Sequence, residues 1–226
     1  MAGRTVRVKV WDGWVRLFHW SIVLLVAVSY ATAKLRRIEW HMLSGCLALA
    51  LVLFRIAWGF LGSETARFAR FLAGPRAVLH HAAALLRGED EARPGHNPAG
   101  GWMVVLLLAL LLAQGVTGLF ADDAELYRGP FADWIGYDAS QRVSGWHARI
   151  FDLLLIAVAL HVAAVATYRI AFGRRLVGAM VTGSAQFPAD SAAARTPPRM
   201  GNRVLAALLL GAAAAMAVAL WRLALF

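Results

Sequence analysis

Five stretches of this chain stay apolar for about twenty residues each, roughly 15–34, 41–61, 101–120, 147–172 and 204–225, and this constrains the fold more than any other feature. A run of about 20 apolar residues is what a helix needs to cross the hydrocarbon layer of a membrane. In lipid a backbone amide finds no water, so each segment must close its own hydrogen bonds as a helix or join a sealed barrel. None of the five runs shows the two-residue alternation of a barrel strand. The reading is therefore an all-α integral membrane helical bundle. Composition agrees: 60% of the 226 residues are hydrophobic, 16% are charged and the mean hydropathy is +0.61, which leaves little chain for a water-soluble domain.

The formal charge of +10 would point to nucleic acid in a soluble protein, but here the basic residues sort by side of a membrane, and no nucleic-acid partner is expected. Arg4, Arg7, Lys9 and Arg16 precede or open the first span. Arg67, Arg70, Arg76, Arg87 and Arg93 lie in the 62–100 connection, and Arg174, Arg175, Arg195, Arg199 and Arg203 in the 173–203 connection. The 121–145 connection instead carries Asp122, Asp123, Glu125, Asp133 and Asp138. The excess of positive charge on one side predicts a multi-pass protein with a cytoplasmic N-terminus and, after five crossings, an outer C-terminus. Lys34, Arg36 and Arg37 are the exception, in the short first outer loop. The basic start, the apolar run and Ala31-Thr32-Ala33 before Lys34 also resemble a signal peptide; the first span is expected to be retained. Cys46, the sole cysteine, lies inside the second span, where it cannot form an internal disulfide.

Between the spans, residues 75–88 read as an interfacial helix on the cytoplasmic surface. Pro94-Gly95-His96-Asn97-Pro98 with Gly100-Gly101 reads as the turn into the third span. The Pro- and Ala-rich stretch 183–203 reads as a linker. Residues 1–182 then form a four-helix core and 204–226 an additional transmembrane helix, which contains no histidine.

Of seven histidines, four fall in spans: His19, His41, His147 and His161. Ionisable groups in a membrane are costly and mark function. His147 and His161 are 14 residues apart, which returns to nearly the same helix face about 21 Å further along. With alternating span directions, depth pairs His19 with His161 near the cytoplasmic side, and His41 with His147 near the outer side. Two imidazoles from facing helices fill both axial positions of a haem iron, which suits electron transfer. Each histidine alone can also serve as a hydrogen bond between helices; two depth-matched pairs argue for ligation. Two histidines without cysteine or paired carboxylates fall short of a zinc set. Gly45, Gly115 and Gly118 offer room for a flat macrocycle. His80 and His81 are expected to be solvated, and His96 to serve its turn.

Among the secondary features, Arg149 and Asp152, one turn apart, are expected to form a local ion pair. Arg16 and Arg55 either snorkel to lipid phosphates or hold haem propionates. Trp11, Trp14, Trp40, Trp102 and Trp146 fall near span ends as an aromatic belt would.

Trp11-Asp12-Gly13-Trp14 running to Phe18-His19-Trp20, Phe54-Arg55-Ile56-Ala57-Trp58-Gly59 running to Gly62-Ser63, Gly95-His96-Asn97-Pro98, and Trp146-His147 with His161 together resemble the bacterial cytochrome b561 family, which includes the b-type cytochrome subunits of nickel hydrogenases. The resemblance covers about residues 6–182. It implies a four-helix core with two haems b, held at His19, His41, His147 and His161, and electron exchange between the quinone pool and a periplasmic redox protein such as a cytochrome c or a dehydrogenase or hydrogenase subunit. Quinone would bind near the cytoplasmic-side haem, close to His19 and His161. Some members instead oxidise superoxide at the outer face and reduce quinone, for which the Lys34, Arg36 and Arg37 patch would suit an anionic substrate.

Overall fold

A computed structural model describes residues 4–89, 93–125 and 127–224. In chain order the elements are β1 (Thr5–Lys9), α1 (Gly13–Lys34), α2 (Ile38–Leu61), a single 3₁₀ turn (Glu64–Ala66), α3 (Phe68–Phe71), α4 (Pro75–Leu86), α5 (Pro98–Phe120), α6 (Ala132–Ile135), α7 (Tyr137–Ala171), α8 (Leu176–Thr182), β2 (Ser184–Pro188), α9 (Ala192–Arg195) and α10 (Arg203–Leu223). Five of these, α1, α2, α5, α7 and α10, are long and apolar enough to cross a membrane. Their large apolar side chains face outward, with Leu24 63%, Leu160 57% and Ile170 84% exposed. That inversion of the usual inside-out rule is what lipid as solvent requires.

Helix limits follow from local chemistry. Asp12 caps α1, its Oδ1 accepting from the Val15 amide at 2.7 Å, and Asn97 caps α5, its Oδ1 accepting from Gly100 N at 2.7 Å, with Pro98 at the first helical position, where its missing N–H costs nothing. Between α1 and α2 the chain reverses in three residues, with Arg36 at φ +54° and Arg37 N donating to Thr32 O at 2.8 Å. Helix α7 begins ten residues before the apolar run expected at 147. Its first turns, Tyr-Asp-Ala-Ser-Gln-Arg, are too polar for hydropathy to reveal. At 35 residues it measures about 52 Å, well beyond a hydrocarbon layer of about 30 Å.

The chain forms two compact units. The first comprises Met1–Leu17, Ala57–Val105 and Val158–Ala206, the second Phe18–Ile56, Leu106–Ala157 and Ala207–Phe226.

In the first unit, β1 and β2 pair antiparallel with Val6 opposite Phe187 and Val8 opposite Ala185. The stretch read as a linker thus contains a strand, and Val8 and Phe187 are buried beneath it. Gly183, in the left-handed region at φ +81°, turns the chain into β2 and accepts from the amides of Val10 and Trp11 at 2.8 and 3.0 Å. A Cβ there would meet the Trp11 carbonyl at 2.9 Å. The fully buried Trp58 donates its indole N–H to Asp12 Oδ2 at 3.0 Å, so two of the quoted sequence motifs meet at one hydrogen bond. Helix α4 falls on the residues read as an interfacial helix, ends two residues earlier at Leu86, and buries none of its residues. Trp11 departs from the expected belt: it is buried, with its ring 4.8 Å from that of His96.

In the second unit, the polar start of α7 packs on the acidic connection. Ser140 is buried, and the Ser144 hydroxyl donates to Asp122 O at 2.7 Å and accepts from Asp122 N at 2.8 Å.

Candidate functional site

The second unit brings His41 and His147 together. His41 sits in the first turn of α2, opposite the end of α1, and its Nδ1 lies 2.9 Å from Ser29 O and 3.0 Å from Ser29 Oγ. A carbonyl only accepts, so Nδ1 carries the proton and Nε2 keeps its lone pair. His147 on α7 faces α5, with Nδ1 3.1 Å from Thr117 Oγ1. That hydroxyl spends its own proton on Ala113 O at 2.7 Å, and so accepts from Nδ1. The His147 Nε2 in turn receives the Gln114 side-chain amide at 2.9 Å. Both rings are thus fixed as the tautomer whose Nε2 is a donor to metal.

The ring centroids are 6.3 Å apart with planes at 87°. Two imidazoles bound on opposite sides of one metal ion through bonds of about 2 Å, each ring centre about 1.2 Å behind its nitrogen, have centroids about 6.4 Å apart. The separation of the two rings is of the size a shared iron would need, and His41 and His147 are the residues that would hold it. The pair also borders a cavity of about 480 Å³ lined by Gly45, Gly115, Gly118 and Tyr127 as well as both histidines. A Cβ at Gly45 would meet nothing within 4 Å, whereas one at Gly118 would stand 3.1 Å from His147 Cε1. Gly118 lets the imidazole lie against α5. Gly115 serves a different end, since its Cβ would press on Leu49 Cδ1 at 2.9 Å; it allows α5 and α2 to approach closely. A buried polar atom beside His147, Gln114 Oε1, finds no hydrogen-bond partner among the described residues.

Tyr127, which sequence reasoning missed, closes this cavity. Its hydroxyl donates to Gly118 O, its ring stands edge-on to His41 at 6.4 Å, and burial pushes its phenol well above the usual range, so it stays a protonated donor. Tyr30 and Phe151 stack at 5.4 Å on the same lining. Gln114 and Thr117 were missed as well; as isolated polar residues three apart in an otherwise apolar span, they carried a usable signal.

The other expected residues fall as follows. His19 belongs to the second unit, beside Trp20 at 4.8 Å, and His161 to the first; both are partly buried. Arg55, in the second unit, is only 3% exposed, which excludes snorkelling to lipid. Arg16, in the first, is half-buried, and its Nε meets no hydrogen-bond partner among the described residues. Of the outer basic patch, Lys34 lies 5.6 Å over the Tyr30 ring and Arg36 pairs with Glu125 at 3.2 Å. Arg149 and Asp152 are both exposed, and no ion pair joins them among the described residues. Asp152 instead lines the cavity. His81 is not merely solvated: its Nε2 is 3.0 Å from the Tyr168 hydroxyl. His96 packs between Trp11 and Phe71, each 4.8 Å away, and it is Asn97 that caps the helix. No group of three or more His, Cys, Asp or Glu residues able to hold a metal ion occurs among the described residues.

Compared with known proteins, residues 10–183 match the family model described as prokaryotic cytochrome b561. The match ends before α10. No curated protein and no solved structure matches the chain. A match over more than half of the chain, together with five helices able to cross a membrane, leads to one conclusion: the chain belongs to the prokaryotic cytochrome b561 family, multi-pass all-α membrane cytochromes of electron transfer that bind two haem b groups.

Proposed function

We propose that the chain relays electrons between the quinone pool and a redox protein on the periplasmic side, through one haem b held by His41 and His147 and a second held by His19 and His161. The observation that carries this reading is the 6.3 Å separation of the His41 and His147 rings, with both Nδ1 protons engaged. The second pair is supported by the spacing of His147 and His161 on one unbroken helix, α7, and by the depth order of the spans. Filling both axial positions with imidazole leaves no open coordination site, which favours electron transfer over oxygen chemistry. The haem iron supplies the one-electron couple.

The protein's own part is positional. Ser29 O and Thr117 Oγ1 accept the Nδ1 protons, hold each ring in one tautomer and strengthen Nε2 as a donor. Leu49, Leu111 and Leu154 on the cavity wall keep water from the outer centre. Arg55, buried and outside the reach of headgroups, and Arg16 neutralise propionates at the inner centre. Residues 1–182 carry all four haem-holding histidines, α10 adds a fifth membrane helix that belongs to the second unit and brings Ala224 to the cavity beside His41 and His147, the N-terminus is cytoplasmic in a bacterial inner membrane, and quinone binds near His19 and His161.

The test is haem content and reduced-minus-oxidised spectra of the purified chain. His41→Ala or His147→Ala should remove one haem and leave the other, and His19→Ala or His161→Ala should remove the complementary one. Equal loss of both from every variant contradicts the pairing.

A further inference from the structure

The end of the second unit nearest His41 and His147 carries an apolar ridge that the haem centre does not use. Trp134, Ile135 and Tyr137 follow one another where α6 meets α7, and all three are exposed, Trp134 by 75%. Gly136, at φ +77°, turns the chain between them. The ridge is held from below: Trp134 stacks on Phe131 at 4.4 Å, and Phe131 N donates to Leu119 O at 2.9 Å, at the end of α5. Lipid does not cover it. Tyr137 precedes the apolar run at 147 by ten residues, about 15 Å along α7, whereas headgroups add only about 5–7 Å to each side of the hydrocarbon. A water-facing ridge built from tryptophan, isoleucine and tyrosine has the composition of a protein-docking centre. Its flanks give the sign of the partner. Asp133 and Asp138, both exposed, border it, and the 121–145 connection holds five carboxylates against Arg128 and Arg142; Arg128 offsets part of this by bridging Asp122 and Asp133. The same connection reaches the cavity beside His41 and His147 through Tyr127 and Pro130. Pro130 and Trp134 are four residues apart, so their Cα atoms are separated by at most about 15 Å.

We propose that this ridge docks the electron carrier of the relay, a soluble protein whose redox group lies beneath a lysine-rich face with an apolar centre. The proposal rests on the relay reading given above and adds to it the surface and the charge of the partner. A second copy of this chain is a poorer occupant, because a symmetric contact would set Asp133 and Asp138 against the same residues of the other copy. In the docked pair one electron is lost at the reduced outer centre and gained by the oxidised carrier, and no proton has to move.

The test uses the full, haem-loaded chain in phosphatidylcholine nanodiscs. The probe is a lysine-rich c-type cytochrome, with its lysine-succinylated form as the charge-reversed control. Binding is read by surface plasmon resonance, and electron transfer by stopped flow after reduction of the chain with dithionite. Wild type should bind the unmodified probe at least about tenfold more tightly than the succinylated one, and more weakly as salt rises. Trp134→Ala with Tyr137→Ala should weaken binding and slow second-order transfer at least about tenfold, with haem spectra and potentials unchanged. Asp133→Asn with Asp138→Asn should weaken binding and flatten its salt dependence. Glu89→Gln with Asp190→Asn, an equal charge change at exposed positions of the first unit, should leave both as in wild type. The proposal is overturned if the Trp134/Tyr137 variant binds the probe as wild type does, if the succinylated probe binds equally well, or if the distant pair of substitutions acts like the near pair. Binding as expected without electron transfer supports the docking surface and contradicts the relay; transfer that ignores the ridge does the reverse. A spin label on Trp134→Cys, in a Cys46→Ser background, should collide with a water-soluble relaxation agent. If oxygen dissolved in lipid reaches it instead, the ridge faces the membrane and the proposal falls.

Discussion

Thr117 Oγ1 stands 3.1 Å from His147 Nδ1 and gives its own proton to the Ala113 carbonyl 2.7 Å away, so the threonine acts on the imidazole as an acceptor. An acceptor at Nδ1 makes Nε2 a stronger donor and favours the more oxidised metal. Thr117→Val removes the acceptor at nearly constant volume. The outer-haem midpoint potential should then rise by a few tens of millivolts, somewhat less than the 59 mV that a tenfold change represents for one electron. Potentiometric titration checks this, and an unchanged or lowered outer potential with full haem content contradicts it.

Asp12 performs two tasks with one carboxylate: it caps α1 and accepts the indole proton of the fully buried Trp58. Asp12→Ala loses the cap and orphans a buried donor, so the first unit should lose about 2 kcal/mol or more. Trp58→Phe removes the donor together with its need, and in combination with Asp12→Ala it should cost less than the two single losses added. Thermal melting followed by circular dichroism measures all three variants; strict additivity would show that the hydrogen bond carries no coupling.

How far the sequence disclosed the fold depends on the range of the interaction concerned. The spans were legible because about twenty apolar residues leave lipid crossing as the economical outcome. His41 and His147 were pairable because depth follows from alternating span direction, and their rings meet as expected. The pairing of Thr5–Lys9 with Ser184–Pro188 was hidden: it joins segments that flank the matched region 10–183 on its two sides, far apart in the chain, and five residues carry too little periodicity to announce a strand. Polar Tyr137–Ser144 concealed the start of α7 for the opposite reason, since its burial comes from packing against the Asp122 connection rather than from hydropathy. Tyr127 lay in a connection legible only as acidic charge.

Arg36 adopts a left-handed backbone, φ +54°, that costs a non-glycine residue of the order of 1 kcal/mol. Its ion pair with Glu125 leaves both side chains well exposed, at 65% and 72%, and so contributes little. Arg36→Gly should therefore stabilise the second unit by about 0.5–1 kcal/mol while haem content stays constant. A lower melting temperature would mean that the pair outweighs the backbone strain.

Burial raises the Tyr127 phenol above its usual range, which sets a pH dependence of definite sign. Its neutral form is the one the fold favours, so the contribution is fully present below the unfolded value of about 10 and is lost as pH climbs towards the higher folded value. Tyr127→Phe lacks the hydroxyl that donates to Gly118 O and should be less stable than wild type at neutral pH, with the gap narrowing above about pH 10. Melting curves between neutral and strongly alkaline pH decide the matter; a gap that widens at high pH reverses the sign and removes Tyr127 from its role as donor.

Gly118 separates two demands that substitution can pull apart. A Cβ at this position would stand 3.1 Å from His147 Cε1 and 3.6 Å from Nδ1, so alanine forces the ring to give by a few tenths of an ångström, while valine needs more room than the helix contact has. Because Thr117 on the same helix holds His147 through Nδ1, the ring cannot retreat without loosening that bond. Gly118→Ala should keep the outer haem at reduced affinity and shift its absorption band, Gly118→Val should lose that haem, and both should retain the inner one, because the atoms that a Cβ at Gly118 would meet within 4 Å belong to His147 alone among the described residues. The measurement is haem stoichiometry and low-temperature spectra of the two variants beside wild type; full occupancy of both haems in Gly118→Val would mean that the outer ligand is not His147.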